Sequence, residues 1–109
     1  MEQKTEEQIA AFNKVPDYNG WTNKPTWLVA LWIDNEQSLQ QIVAGAASGY
    51  FKSDSETAVY NLSDWLKDAF TDELAPDLPA SMYADLLTWA LAYVDWDSLA
   101  QHYIEVIED

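Results

Sequence analysis

The chain has 109 residues, 49% of them apolar, with six Trp, six Tyr and three Phe, and a net charge of −14. That is too apolar for a disordered acidic tail, and the length suits one domain with a real but thin core. Its only strong bases are five lysines, which argues against direct binding to nucleic acid or anionic lipid, and the lack of cysteine excludes disulfides and thiolate chemistry.

In chain order the pattern predicts five helical segments and no strand: an all-α fold, a small bundle of four to five helices in one domain over 1–109. Ile9, Ala10 and Phe12 follow Glu6 and Glu7, so residues 3–13 are expected as a short helix or, within 1–16, a mobile arm. Pro16, Asp17, Asn19 and Gly20 form a turn. The next helix begins near Lys24 and Pro25, capped by Thr22 or Asn23, because proline is well placed in a first turn. Trp27, Leu28, Leu31 and Trp32 give it an apolar face, with Trp27 and Trp32 expected as core anchors. Asp34-Asn35 interrupts the pattern, Leu39, Ile42, Val43 and Ala46 resume it, and Gly49 is expected to end it.

Ser53 and Glu56 have the spacing of a capping box, in which each side chain bonds the other residue's backbone N–H. Val59, Leu62, Trp65, Leu66, Ala69 and Phe70 then follow helical spacing. Pro76 and Pro79 place a loop over 71–79. Ser81 caps a helix with Met82, Leu86, Trp89, Ala90 and Tyr93 on one face and Leu87, Leu91 and Val94 beside it. Asp95 or Asp97 caps a last helix carrying Leu99, Tyr103, Val106 and Ile107. No apolar run approaches the ~18 residues of a membrane span, and the first residues lack the basic and apolar regions of a signal peptide. The expectation is a soluble cytoplasmic protein without membrane contact.

Charge is the strongest functional signal. Residues 53–109 hold thirteen carboxylates against Lys67 alone, a net −12. A compact body with that surface repels itself. Asp64, Asp68 and Asp72 lie at i, i+4 and i+8, a row rising ~6 Å per step on a helix. Glu73 and Asp77 extend it into the loop, and Asp85 begins a second row. Such a row fits a basic cleft that normally takes the regularly spaced phosphates of DNA. The expected partner is therefore a basic nucleic-acid-binding protein, with Asp64, Asp68, Asp72, Glu73, Asp77 and Asp85 as contacts. The plain alternative is a solvated acidic face, as in a halophile.

No catalytic or metal-ligating constellation stands out, and no cofactor is implied. His102 is the only histidine and is expected as a partly buried or surface side chain. Asp95-Trp96-Asp97 and Asp54-Ser55-Glu56 lack the twelve-residue calcium loop and read as helix starts. No glycine-rich phosphate loop exists. The chain is therefore expected not to be an enzyme.

The string from Tyr18 to Asn35 is the most distinctive. Gly20, Trp21, Asn23, Thr26, Trp27, Val29, Leu31, Trp32 and Asn35 fit the pattern G-W-x-N-x-x-T-W-x-V-x-L-W-x-x-N. It resembles the N-terminal signature of small, largely uncharacterised phage and prokaryotic proteins. That resemblance implies a phage or mobile-element origin, hence the cytoplasm of a host cell. Phage genomes encode small acidic inhibitors of restriction enzymes and CRISPR effectors, an analogy that joins the charge argument. Most of the string suits core and cap roles; Trp21, in the turn, is the candidate aromatic contact. The alternative function is a non-enzymatic structural or assembly module with an aromatic interface, in its extreme form a homodimer.

Overall fold

The computed structural model describes Tyr18 and residues 20–108. The expected helix or arm over 3–13 lies outside them. Five α-helices and no strand occur among the described residues: α1 (Lys24–Asn35), α2 (Gln37–Ser53), α3 (Ala58–Asp68), α4 (Met82–Ala92) and α5 (Trp96–Glu108). Between α3 and α4 the chain widens into one π-helical turn, Ala69–Glu73. The fold is all-α, as the apolar periodicity predicts.

Local chemistry accounts for most of the boundaries. Gly20 turns the chain with φ +89°, a left-handed value that suits a residue without Cβ, and Trp21 N–H bonds Tyr18 O at 3.0 Å. Asn23 caps α1, its Oδ1 accepting from Thr26 N at 3.0 Å, with Pro25 in the first turn. The break at Asp34-Asn35 resolves at Glu36. Its extended backbone ends α1, and its carboxylate accepts from Ser38 N and Leu39 N to start α2.

Three boundaries differ from expectation. Gly49 does not stop α2, which runs on to Ser53 because Tyr50 and Phe51 still pack against the core. Ser53 is thus helical and forms no capping box; Asp54 Oδ1 takes Glu56 N–H at 3.0 Å instead. Thr57 stands at the start of α3 without a side-chain cap. The loop after α3 begins only at Leu74, whose N–H reaches back five residues to Ala69 O at 2.7 Å, the bond that defines the π turn.

The core lies among α1, α2, α3 and α5. Ala30 and Ile33 meet Val43, Ala47, Ala58, Leu62, Leu66, Leu99, Ala100 and Ile104, with Val94 and Trp96 at its margin. Phe70, in the π turn, stacks on Trp96 with ring centroids 6.1 Å apart. Two polar ties brace the helices. Ser63 hydroxyl donates to Asp97 Oδ1 at 2.6 Å, and Tyr103 hydroxyl donates to Asp34 Oδ1 at 3.0 Å. Burial, then the Asp34 charge and hydrogen bond, push the Tyr103 phenol well above its ordinary pKa.

Two core expectations fail. Trp32 is 64% exposed, and Trp27 is half-buried beside Tyr18 rather than central. The anchors are instead small and branched residues, since α1 meets α2 and α5 through Ala30 and Ile33. On α5, Val106 of the apolar pattern is exposed, and Ile104 is the residue buried there.

Candidate functional site

The start of α1 holds the densest polar network. Asn23 Nδ2 donates to Tyr93 O at 2.7 Å, while the fully buried Thr26 hydroxyl donates to Asn23 Oδ1 at 2.6 Å and accepts from Asp95 N at 2.8 Å. Asp95 Oδ2 accepts from Thr22 hydroxyl at 2.6 Å and from Ser98 hydroxyl at 2.7 Å, and its Oδ1 caps α5 through Ser98 N at 3.1 Å. The Asn and Thr of the W-x-N-x-x-T string therefore fasten α1 to the α4–α5 junction. Their role is architectural.

Thr26→Val keeps the volume and removes the hydroxyl. It leaves the Asp95 N–H without an acceptor, at a cost of ~1–3 kcal/mol, readable by urea unfolding. The Thr22 hydroxyl, then the Ser98 hydroxyl, hold the Asp95 carboxyl below its ordinary 3.8 against an opposing effect of burial. A lowered folded pKa gives stability that is complete above 3.8 and is lost as pH falls through the folded value. Acid unfolding of the wild type should therefore be steeper below pH 3.8 than that of Asp95→Asn. Relief of carboxylate repulsion acts oppositely but is nearly common to both proteins.

His102 is half-buried between Trp21 and Tyr103, edge-on to both at 5.1 and 4.9 Å. Trp21 thus packs on the core and on His102 instead of standing free in the turn. A shallow hollow of about 230 Å³ runs along Trp21, Ser98 and His102. The Ser98 hydroxyl is committed to Asp95, so these three residues do not form a nucleophile–base pair. Among the described residues no three His, Cys, Asp or Glu side chains are grouped to hold a metal.

The carboxylates divide unevenly. Lys24 and Lys52 balance Asp34 and Glu36 across α1 and α2, whereas residues 54–108 carry twelve carboxylates and Lys67. Asp64 and Asp68 are both exposed on α3, each two residues past a buried leucine and so on the face turned from the core. Asp72 does not extend their row straight. The α-helix ends at Asp68 and the π turn that follows changes the rotation per residue, while Thr71 hydroxyl donates to the Lys67 carbonyl at 2.6 Å. Glu73 closes the π turn, exposed, and Asp85 sits exposed in the first turn of α4.

What the bend achieves is a groove. Asp72 and Asp77 stand on one wall with Leu78, and Leu87 and Leu91 of α4 on the other, enclosing about 360 Å³. A basic side chain entering it can lay its alkyl stem on the leucines and place its charge at the carboxylates. The structure thus brings Asp64 with Asp68, and Asp72 with Asp77. Glu73 lies beside the second pair in sequence, and Asp85 is outside the groove lining.

Sequence reasoning missed the exposure of α4. No residue of it is buried. Met82, Leu86, Trp89 and Tyr93, expected together on one apolar face, are each more than half exposed. The signal was the helix itself: eleven residues with one charge and apolar groups on every side, more than one packing face can absorb.

A family model described as a family of unknown function, DUF7249, matches residues 14–108. No curated protein and no solved structure matches the chain. No helix among the described residues is long and apolar enough to cross a membrane.

Proposed function

The chain belongs to the DUF7249 family, and we propose that it is a phage or mobile-element inhibitor of a host nucleic-acid-binding defence protein, a restriction enzyme or CRISPR effector. It acts without catalysis, as an acidic DNA mimic that occupies the partner's basic cleft. The observation that carries this reading is the exposed Asp64–Asp68 face of α3 followed by the Asp72–Asp77 groove, with Lys67 the one lysine of residues 54–108. Carboxylates on a helix backed by the core stay in place without the partner, so little ordering is needed on binding. Opposite charges then pair, counterions are released, and long-range attraction speeds encounter.

The test is competition with DNA for a purified restriction enzyme or CRISPR effector across a salt series. Displacement of DNA that weakens steeply as salt rises is the expected result. Negligible affinity for such partners at low salt would remove the reading. A second reading, an assembly module with an aromatic interface, is favoured by the exposure of Trp32, Tyr83 and Trp89.

A further inference from the structure

We propose that the bare face of α4 is a self-association seam, on which a second copy of the chain lays its own α4 antiparallel. The proposal stands apart from the inhibitor reading, because α3 with Asp64 and Asp68 takes no part in it.

Met82, Leu86, Trp89 and Tyr93 follow one another in steps of four, three and four residues. That is the spacing of a coiled-coil seam, which keeps one stripe of a helix against a partner helix. The four are 64, 56, 59 and 54% exposed. The opposite face of α4, with Leu87 and Leu91, already borders the 71–78 segment. The stripe therefore lacks a neighbour among the described residues, and the Trp89 and Tyr93 rings lie along it with centroids 4.6 Å apart.

Area and charge point to the occupant. With Tyr83, the exposed side chains of this face present on the order of 600 Å² of surface, about what one partner gives to the smallest specific interfaces. Asp85 is the only charged residue of α4. The face thus offers a cationic partner one carboxylate beside an apolar stripe, and anionic lipid headgroups no Lys or Arg. For a chain of net −14, it is a place where two copies can meet with little charge between them. Antiparallel pairing about a two-fold axis between Leu86 and Trp89 sets Leu86 against Trp89 of the second copy and Met82 against its Tyr93. Asp85 then faces Ala90 of the second copy, whereas a parallel pair holds both Asp85 side chains at one level.

Light scattering on the full chain at rising concentration tests this. The expected mass tends to twice 12.4 kDa, and added salt strengthens the dimer by screening body repulsion, opposite to its effect on a basic partner. Leu86→Lys with Trp89→Lys should give a monomer with unchanged helical circular dichroism. A wild type that stays monomeric at every concentration, or a dimer that survives the double variant, overturns the proposal. If the double variant fails to fold, cross-linking decides. The chain has no cysteine, so Met82→Cys mixed with Tyr93→Cys should form a disulfide between the two variants, and Met82→Cys alone should not. A cross-link in Met82→Cys alone, or none in the mixture, refutes the antiparallel pair.

Discussion

Trp96→Ala is expected to lower stability by ~3–5 kcal/mol, the usual cost of truncating a buried aromatic, a large part of the ~5–15 kcal/mol that holds a domain together. Trp96 is 8% exposed. It opens α5 where that helix meets the π turn, and its ring lies 12° from parallel to Phe70. Removing the indole opens a cavity bordered by α5 and the π turn at once, and neither can collapse freely while Leu62, Leu66 and Leu99 fix them. Trp32→Ala, by contrast, should change stability by less than ~1 kcal/mol, since Trp32 is mostly solvent-exposed. Urea unfolding of both variants measures the difference as a shift in midpoint at constant slope. Equal losses would place the core elsewhere. Tryptophan content alone does not separate the two residues; what separates them is which side of its helix each occupies.

Apolar periodicity in this sequence legibly carries the helices. Asn23, Ser81 and Asp95 cap where the pattern places caps, because a short polar side chain before an apolar repeat has few other uses. Gly49 and Ser53 mislead for a shared reason. Each is a local stop signal overridden by tertiary packing, as Tyr50 and Phe51 hold α2 helical past the glycine. The π turn has no composition signal; the contact made from it, Phe70 on Trp96 of α5, joins residues far apart in sequence. For the candidate site, the exposure of Asp64 and Asp68 was legible from their offset to Leu62 and Leu66. The pairing of Asp72 with Asp77 was not, since it needs the bend. The bare stripe on α4 was hidden because an apolar face on a helix normally means core, and only its three-dimensional surroundings show what is left uncovered.

Reversing two charges on α3, Asp64→Lys with Asp68→Lys, should abolish competition with DNA for the partner's cleft while leaving the fold intact. Each lost charge-assisted contact is worth ~1.5–3 kcal/mol, so the pair weakens binding by about 10²- to 10⁴-fold. The lysines also repel the basic cleft, which lowers the rate of encounter as well as the lifetime of the complex. Each change adds two units of charge, so the chain goes only from −14 to −10 and stays strongly anionic. If bulk negative charge alone drove binding, the variant would retain most of its affinity, and the reading of α3 as the contact face would fail. If placement matters, affinity collapses although most of the charge remains. Neutral variants at exposed carboxylates of another helix, Glu105→Gln with Glu108→Gln on α5, supply the comparison, with little expected loss. Stability should move by no more than ~0.5 kcal/mol in the lysine variant, because both side chains are exposed on the face turned from the core. Unchanged helical circular dichroism with lost competition is therefore the expected signature. Retained competition at low salt, matching the wild type, would sink the assignment of Asp64 and Asp68.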